Sequence, residues 1–212
     1  MYTPIRLISE VQLPTALALF RLRHYEESET GQAYLALLLG DLQASADQPP
    51  LVRLHSACAT GDIFGSLRCD CQAQMHAALR AIAGEGRGLL LYLPQEGRGI
   101  GLTGKLQAYE LQEQGYDTVE ANEHLGYPAD ARDYTATIAI LQEMQLTRMR
   151  LMTNNPAKIE ALRASGLHIE RVSLEIPPTE RNRFYLQTKH RRLGHLLDMA
   201  FEYGAVEKQS SH

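Results

Sequence analysis

The sequence predicts an α/β protein, with a layered α/β/α core built on a mixed sheet and a strand-rich segment at the N-terminus. Two observations predict it. Over the first ~55 residues, short apolar runs are divided by Pro, Gly and polar clusters, the pattern of strands and turns. From about Arg68 to Leu174, apolar residues at helical spacing alternate with short buried runs, which is the strand–helix alternation of layered α/β folds.

The elements follow in order. IRLISEVQL, ALALFRLRHY, AYLALLLGDL and LVRLHS read as strands. Met75, Ala78, Leu79 and Ile82 recur at helical spacing and stop at GEGRG. GLLLYLP reads as a buried strand. Leu102, Leu106 and Tyr109 share one face of the next helix, which ends near Gly115, and Tyr109 on that face reads as a core tyrosine. PADARDY places Asp130 and Arg132 at the start of a further helix carrying Tyr134, Ile138 and Leu141, with Asp130 as its N-terminal helper. RMRLMT is a strand. NNPAKIEALRASG is a helix with Asn155 as N-cap, Pro156 at its first position and Gly166 as stop. HIERVSL closes the series as a strand. Residues 1–197 are expected to form one domain, and 198–212 a polar, flexible tail.

Composition bounds the function. A chain of 212 residues, 44% hydrophobic and 22% charged, buries a core without help from disulfides or metal. The net charge of -4 carries no basic excess for nucleic acid, although a small anion needs only a local cationic pocket. No apolar stretch reads as a signal core or a membrane span, so the expectation is a cytoplasmic protein with no membrane partner.

In that setting clustered cysteines point to metal or chemistry rather than disulfides. All three lie within CATGDIFGSLRCDC, as Cys58-x10-Cys69-x-Cys71. Three thiolates suit an open zinc site, whose remaining position takes water and lowers its pKa. His55 is an alternative fourth ligand of a closed structural site, and three buried free thiols are the plain alternative.

After the strand GLLLYLP comes QEGRGIGLTGKL. Gly99, Gly101 and Gly104 satisfy the dinucleotide fingerprint, with Glu120 at the place of its acidic residue. Gly99 to Lys105 satisfies G-x-x-x-x-G-K, but Leu106 stands where a P-loop needs Ser or Thr. Independently of either motif, glycines around Arg98 let backbone approach a ligand, the guanidinium suits phosphate or carboxylate, and Glu96 can accept from a base. A tight turn with a solvated arginine is the alternative. In TNNPAK, Lys158 stands in the first turn of a helix, where it opposes the dipole unless an anion is present, and Thr153 offers a hydroxyl. His76, His124, His190 and His195 carry no spacing signal and read as surface or structural. The residues together suggest zinc-assisted hydrolysis of a phosphorylated small molecule.

Taken in order, RLHSACATGDIFGSLRCDC, LYLPQEGRGIGLTGKLQAYELQEQGYDTVEAN, ADARDY, TNNPAKIEAL and YLQTKHRRLGHLL resemble the GTP cyclohydrolase II family, from about Val52 to Leu197. The chain resembles the stand-alone form, without the 3,4-dihydroxy-2-butanone 4-phosphate synthase domain fused to it in some relatives. The resemblance implies the first committed step of riboflavin synthesis, in which GTP and water give a diaminopyrimidinone ribosyl phosphate, formate and pyrophosphate. It implies zinc on Cys58, Cys69 and Cys71, with water activated for attack at C8 of guanine. Tyr109 then lies near that chemistry and Asp130 is a proton acceptor. Arg132 matches a proposed nucleophile toward the α-phosphate, and stabilising phosphate without a covalent step is the physical alternative. Arg53, Leu54, His55, Ser56, Ala57, Gln74, Glu96, Gly97, Arg98, Thr118, Thr153 and Lys158 match GTP-contacting positions. Magnesium accompanies the triphosphate, held chiefly by phosphate and water, and the family suggests a homodimer. Two departures stand out: Ala57 replaces the Glu of H-S-E-C, and Gln72 the Gly of C-D-C-G. Ala57 leaves open a silent homologue that binds guanine nucleotide without turnover.

Overall fold

A computed structural model describes residues 4–43 and 47–197. The expected tail, 198–212, lies outside the described residues. The four N-terminal apolar runs form strands β1 (Ile5–Pro14), β2 (Leu19–Glu27), β3 (Ala33–Leu39) and β4 (Leu51–Ser56). Helix α1 (Cys71–Glu85) leads to β5 (Gly88–Leu93). Then come α2 (Gly101–Glu113), α3 (Thr118–His124), α4 (Thr135–Glu143), β6 (Arg148–Met152), α5 (Pro156–Ala164), β7 (His168–Val172) and α6 (Arg183–Leu193).

The strands make one mixed sheet in the order β1-β2-β3-β5-β4-β6-β7. β1 to β3 form an antiparallel meander whose last strand pairs antiparallel with β5, whereas β5, β4, β6 and β7 run parallel. Parallel strands covered on both faces are apolar almost throughout, and β4 and β5 are buried along nearly their whole length. β1, at the edge, is largely exposed.

Two cores flank the sheet. On one face, Ala78 and Ile82 of α1 pack with Phe20, Leu51 and Leu90. On the other, Ile140 and Leu141 of α4 and Ile159 and Leu162 of α5 pack with Tyr25, Val52, Leu54 and Leu91. The predicted α/β/α layering is therefore present. It follows from handedness: the chain moves from β4 to β5 in one direction and returns past β4 to β6 and β7 in the other. Right-handed crossovers then put their helices on opposite faces. The reversal at β4 leaves a crevice at the carboxyl ends of the parallel strands. Among the described residues, no helix is long and apolar enough to cross a membrane.

Candidate active site

The three cysteines meet at that crevice. Cys58 follows β4 and opens a short π-helical turn, Ala59–Ile63, while Cys69 and Cys71 flank the start of α1. Their sulfur atoms all lie within 4.8 Å of one another, and the Cys58 and Cys69 Sγ atoms are 3.7 Å apart. A tetrahedral site with zinc–sulfur bonds of about 2.3 Å places its sulfurs roughly 3.8 Å apart, so the donor set fits zinc. Asp62 shapes the turn from inside. Its carboxylate accepts from the Cys58 amide (3.0 Å), the Tyr92 hydroxyl (3.0 Å) and His55 Nε2 (3.0 Å). His55, stacked on Tyr92, thus has Nε2 committed to Asp62. Burial holds its imidazole below its usual pKa. His55 is a cavity wall and stands outside the three-thiol group.

Lys105 joins this centre to the glycine-rich loop. Its Nζ donates to Cys58 Sγ (3.1 Å) and to Glu96 Oε1 (2.7 Å). The Cys58 thiol is held well below its usual pKa, first by hydrogen bonds from Cys69 and Cys71 and then by Lys105. Burial works against the charge on Lys105, but Glu96, Tyr109 and Cys58 raise its pKa. Glu96 Oε2 also accepts from the Ala59 amide (2.6 Å), so the carboxylate is held from two sides.

The loop after β5 tightens into a 3-10 turn, Glu96–Gly99, in which Gly97 and Arg98 both adopt left-handed backbone. Gly99 has φ +92°, and a Cβ there would meet the Ala131 carbonyl oxygen at 2.6 Å. This glycine lets two loops touch, with the Ala131 amide donating to the Arg98 carbonyl (3.0 Å). Glu120 reads differently too. It completes a capping box with Asp117 at the start of α3, so it serves a helix terminus and positions Thr118. The dinucleotide reading has no remaining support.

PADARDY does not begin a helix. α4 starts at Thr135, after an N-cap, Tyr134, that makes no side-chain cap; the Thr135 amide donates to Asp133 (2.9 Å), and Asp130 caps nothing. Asp130 and Arg132 lie in the preceding extended segment, freed from the helix dipole, and bind each other. Arg132 Nε donates to Asp130 Oδ1 (2.8 Å) and its Nη2 to Oδ2. Burial raises and the arginine lowers the Asp130 pKa, with a net fall, while Arg132 stays firmly charged. Gln95 donates to the Asp133 carbonyl and tethers this segment to β5.

Cations line the same cavity. Arg53, on the α1 face of β4, donates to the Met152 carbonyl (3.0 Å) and to Gln74 of α1 (2.6 Å). Burial lowers its pKa to about 10. Asn155 caps α5 as expected, accepting from the Ala157 amide (3.0 Å). Lys158 is buried behind that cap and donates to the Leu54 carbonyl (2.7 Å), and burial followed by Arg53 and Arg132 pushes its pKa far down. From α6 and the turn after it come Tyr185, Lys189 and His195, with Lys189 paired to Asp70 at 3.0 Å.

One cavity gathers nearly all the residues expected of a site. The three cysteines, Arg53, His55, Ser56, Ala57, Gln74, Glu96, Gly97, Arg98, Tyr109, Thr118, Arg132, Thr153 and Lys158 line it. Two do not. The Leu54 side chain sits in the core and contributes only its carbonyl, and Asp130 reaches the cavity through Arg132. Gln72 lies outside the wall, donating to the Asp62 carbonyl (3.4 Å), so that departure ties the π-turn to α1. Tyr109 is a cavity residue near Thr60 (3.4 Å) under the Arg68 guanidinium, not a core tyrosine. Leu102 and Leu106 share its helix but are exposed; the buried stripe of α2 is Gly104, Lys105 and Ala108. Sequence reasoning missed Asp62, Lys105, Tyr185, Lys189 and His195. Lys105 was visible as the last residue of G-x-x-x-x-G-K, and His195, read as surface or structural, had no signal at all.

Comparison with known proteins places these observations. The family model for GTP cyclohydrolase II matches residues 6–173. Riboflavin biosynthesis protein RibBA of Bacillus cytotoxicus is 54% identical over 90% of this chain and 48% of its own length. The Chlorobium phaeovibrioides protein of the same name is 55% identical over 89% of this chain and 46% of its own. The chain thus spans about half the length of the curated relatives it matches. A solved two-domain 3,4-dihydroxy-2-butanone 4-phosphate synthase from A. baumannii, RibBX, superimposes with a TM-score of 0.49 at 19% identity, over 82% of this chain and 41% of that one. A family match running from β1 through β7 takes in the thiol triad, the Glu96 loop, the Asp130–Arg132 segment and the Lys158 helix, and on that ground the chain belongs to the GTP cyclohydrolase II family.

Proposed function

We propose that the chain hydrolyses GTP to 2,5-diamino-6-(5-phosphoribosylamino)pyrimidin-4(3H)-one, formate and pyrophosphate, the first step of riboflavin biosynthesis. It acts as a cytoplasmic homodimer with zinc on Cys58, Cys69 and Cys71 and magnesium on the triphosphate. The observation that carries this reading is the composition of one cavity. A three-thiol centre, Glu96 and Tyr109 line it together with Arg53, Arg98, Arg132 and Lys158. A purine with a triphosphate suits a wall that offers both kinds of group. Arg53 Nε, His55 Nδ1 and Asn155 Nδ2, all on cavity-lining residues, are buried without a protein partner, which suits groups reserved for a ligand.

Zinc supplies activation of water near neutral pH and polarisation of the carbon it attacks. The chain's residues do the rest. Glu96, fixed by Lys105 and the Ala59 amide, accepts from the guanine edge. Tyr109 positions a proton near the ring that opens. Asp130 holds and orients the Arg132 guanidinium, whose charge favours stabilising phosphate over attacking it. The dimer is supported by exposed apolar side chains: Phe64 is 79% and Leu67 64% exposed, with Leu102 and Leu106 on α2. Arg68 ties the two segments through Glu113 and Tyr109.

The test is incubation with GTP, zinc and magnesium, reading formate, pyrophosphate and the pyrimidine by mass spectrometry, with sedimentation velocity on the same sample. Guanine nucleotide binding without formate, in protein shown to contain zinc, overturns the catalytic reading in favour of a silent homologue. A monomer at working concentration overturns the dimer.

A further inference from the structure

We infer that α6 and the turn after it form a wall of the polyphosphate site, with Lys189 and His195 contacting phosphate oxygens. This rests on the GTP reading above but assigns residues that nothing in that reading uses. Both residues lie beyond positions 6–173, the stretch matched by the family model.

The turn is built, not draped. Gly194 ends α6 in left-handed backbone, and the His195 amide returns to the Lys189 carbonyl (3.2 Å). The next amide, of Leu196, donates to the carbonyl of buried Asn154 (2.9 Å), and Arg171 of β7 donates to the Leu196 carbonyl (3.2 Å). His190 Nδ1 meets the His195 carbonyl (3.0 Å). Leu186 and Leu197 pack as a small core beneath Tyr185. The turn is thus stapled to the carboxyl ends of β6 and β7, beside the cap of α5, and it holds the His195 ring over the cavity.

Cations outnumber carboxylates there. The His195 imidazole is kept neutral, its pKa pushed down to about 2 by burial and by Lys189, Arg132, Arg98 and Lys158. Two of those cations have carboxylate partners, Lys189 with Asp70 and Arg132 with Asp130. Arg98 meets the Ala129 carbonyl (3.4 Å) and Lys158 the Leu54 carbonyl. Arg98, Arg132 and Lys189 crowd this imidazole with two carboxylates, Asp70 and Asp130, among them, and a group with several negative charges supplies the balance. A neutral imidazole N–H and the Lys189 ammonium, already turned over the Tyr185 ring at 4.3 Å, are donors suited to phosphate oxygens.

The test measures two fragments of the substrate by calorimetry, inorganic tripolyphosphate and guanosine, on wild type, His195→Asn and Lys189→Met, with melting curves on each. Loss of one charge-assisted bond is expected to weaken tripolyphosphate about 10- to 100-fold and leave guanosine within about twofold. With GTP, KM rises in the same proportion. Lys189→Met strips Asp70 of its partner; should it fail to fold, His195→Asn, which breaks no ion pair, carries the test. Unchanged tripolyphosphate affinity in His195→Asn, or no tripolyphosphate binding by wild type, overturns the inference. Wild type that binds tripolyphosphate through His195 but neither binds guanosine nor turns over GTP leaves the anion wall standing and removes the GTP reading.

Discussion

Gly61 offers a clean probe of the thiol triad. It sits in the π-turn with backbone that any L-residue adopts, so a substitution brings no torsional strain. A Cβ at that position would meet Cys69 Sγ at 3.0 Å, Cys58 Sγ at 3.1 Å and Cys71 Cβ at 3.1 Å. Ordinary contacts of this kind are roughly 3.5–4 Å, so two ligand atoms must each retreat by a few tenths of an ångström. A metal site tolerates only about 0.2 Å in its ligand distances. Gly61→Ala is therefore expected to lower zinc affinity about 10- to 100-fold, a cost of about 1.4–2.8 kcal/mol that falls on the metal-bound state. The metal-free protein loses about 1–3 kcal/mol from overpacking. The two costs separate in urea titrations with and without zinc, because the gap between the curves reports binding alone. Chelator competition gives the affinity directly. Gly84→Ala is the control, since a Cβ there meets nothing within 4 Å and zinc binding should not change. Wild-type affinity in Gly61→Ala would refute the steric argument, and a wild type that takes up no zinc would refute the site itself.

Lys105→Met removes the one ammonium that donates to both Cys58 and Glu96, so zinc affinity should fall about tenfold. In a cobalt-loaded sample the sulfur-to-metal charge-transfer band should also shift, and an unmoved band with unmoved affinity refutes the link. His195 sets a pH dependence whose sign is fixed by a depressed pKa in the folded state. Between pH 6.5 and about 2 the unfolded chain binds a proton there that the folded chain refuses. Stability from this group is full above pH 6.5 and is lost as pH falls, with a slope of at most about 1.4 kcal/mol per unit. His195→Gln should flatten the dependence between pH 6.5 and 5 in urea unfolding, and identical slopes would remove this half-buried imidazole from the account.

What the sequence made legible follows the range of the forces involved. Strands and helices with a strong local period, such as Gly88–Leu93 and the Asn155-capped helix, fell where apolar spacing and capping chemistry put them. α3 has a capping box within DTVE, yet its seven residues carry too little period to stand out. α6 was missed because it buries little beyond Leu186 and Thr188. The Asp130 segment was misread because Asp130 is a plausible capping residue shortly ahead of the actual N-cap, Tyr134, and only its contact with Arg132 shows it engaged elsewhere. Leu102 and Leu106 show the limit of pattern reading: one face of a helix is apolar in sequence, but Lys105 and Ala108 are the buried side and line the cavity, where the ammonium meets Cys58.

Strand order explains why residues a hundred positions apart share one cavity. β4 lies between β5 and β6, so its carboxyl end, with Ser56 and Cys58, is flanked by the Glu96 loop on one side and by Thr153 and the α5 cap on the other. The loop after β5 brings the carboxylate and ammonium for the metal end, and the segments after β6 bring cations. Around the thiols, Lys105 is paired with Glu96 and Cys58, and Asp62 accepts from His55 and Tyr92. Beside the α5 cap Lys158 donates to the Leu54 carbonyl, and burial followed by Arg53 and Arg132 pushes its pKa down. A polyphosphate entering there would favour the charged form of Lys158 and relieve its repulsion from Arg53, Arg132 and Lys189. The electrostatic cost stored in the free protein is then the part of the binding energy that only a multiply charged ligand recovers, and a neutral nucleoside in the same cavity leaves it in place.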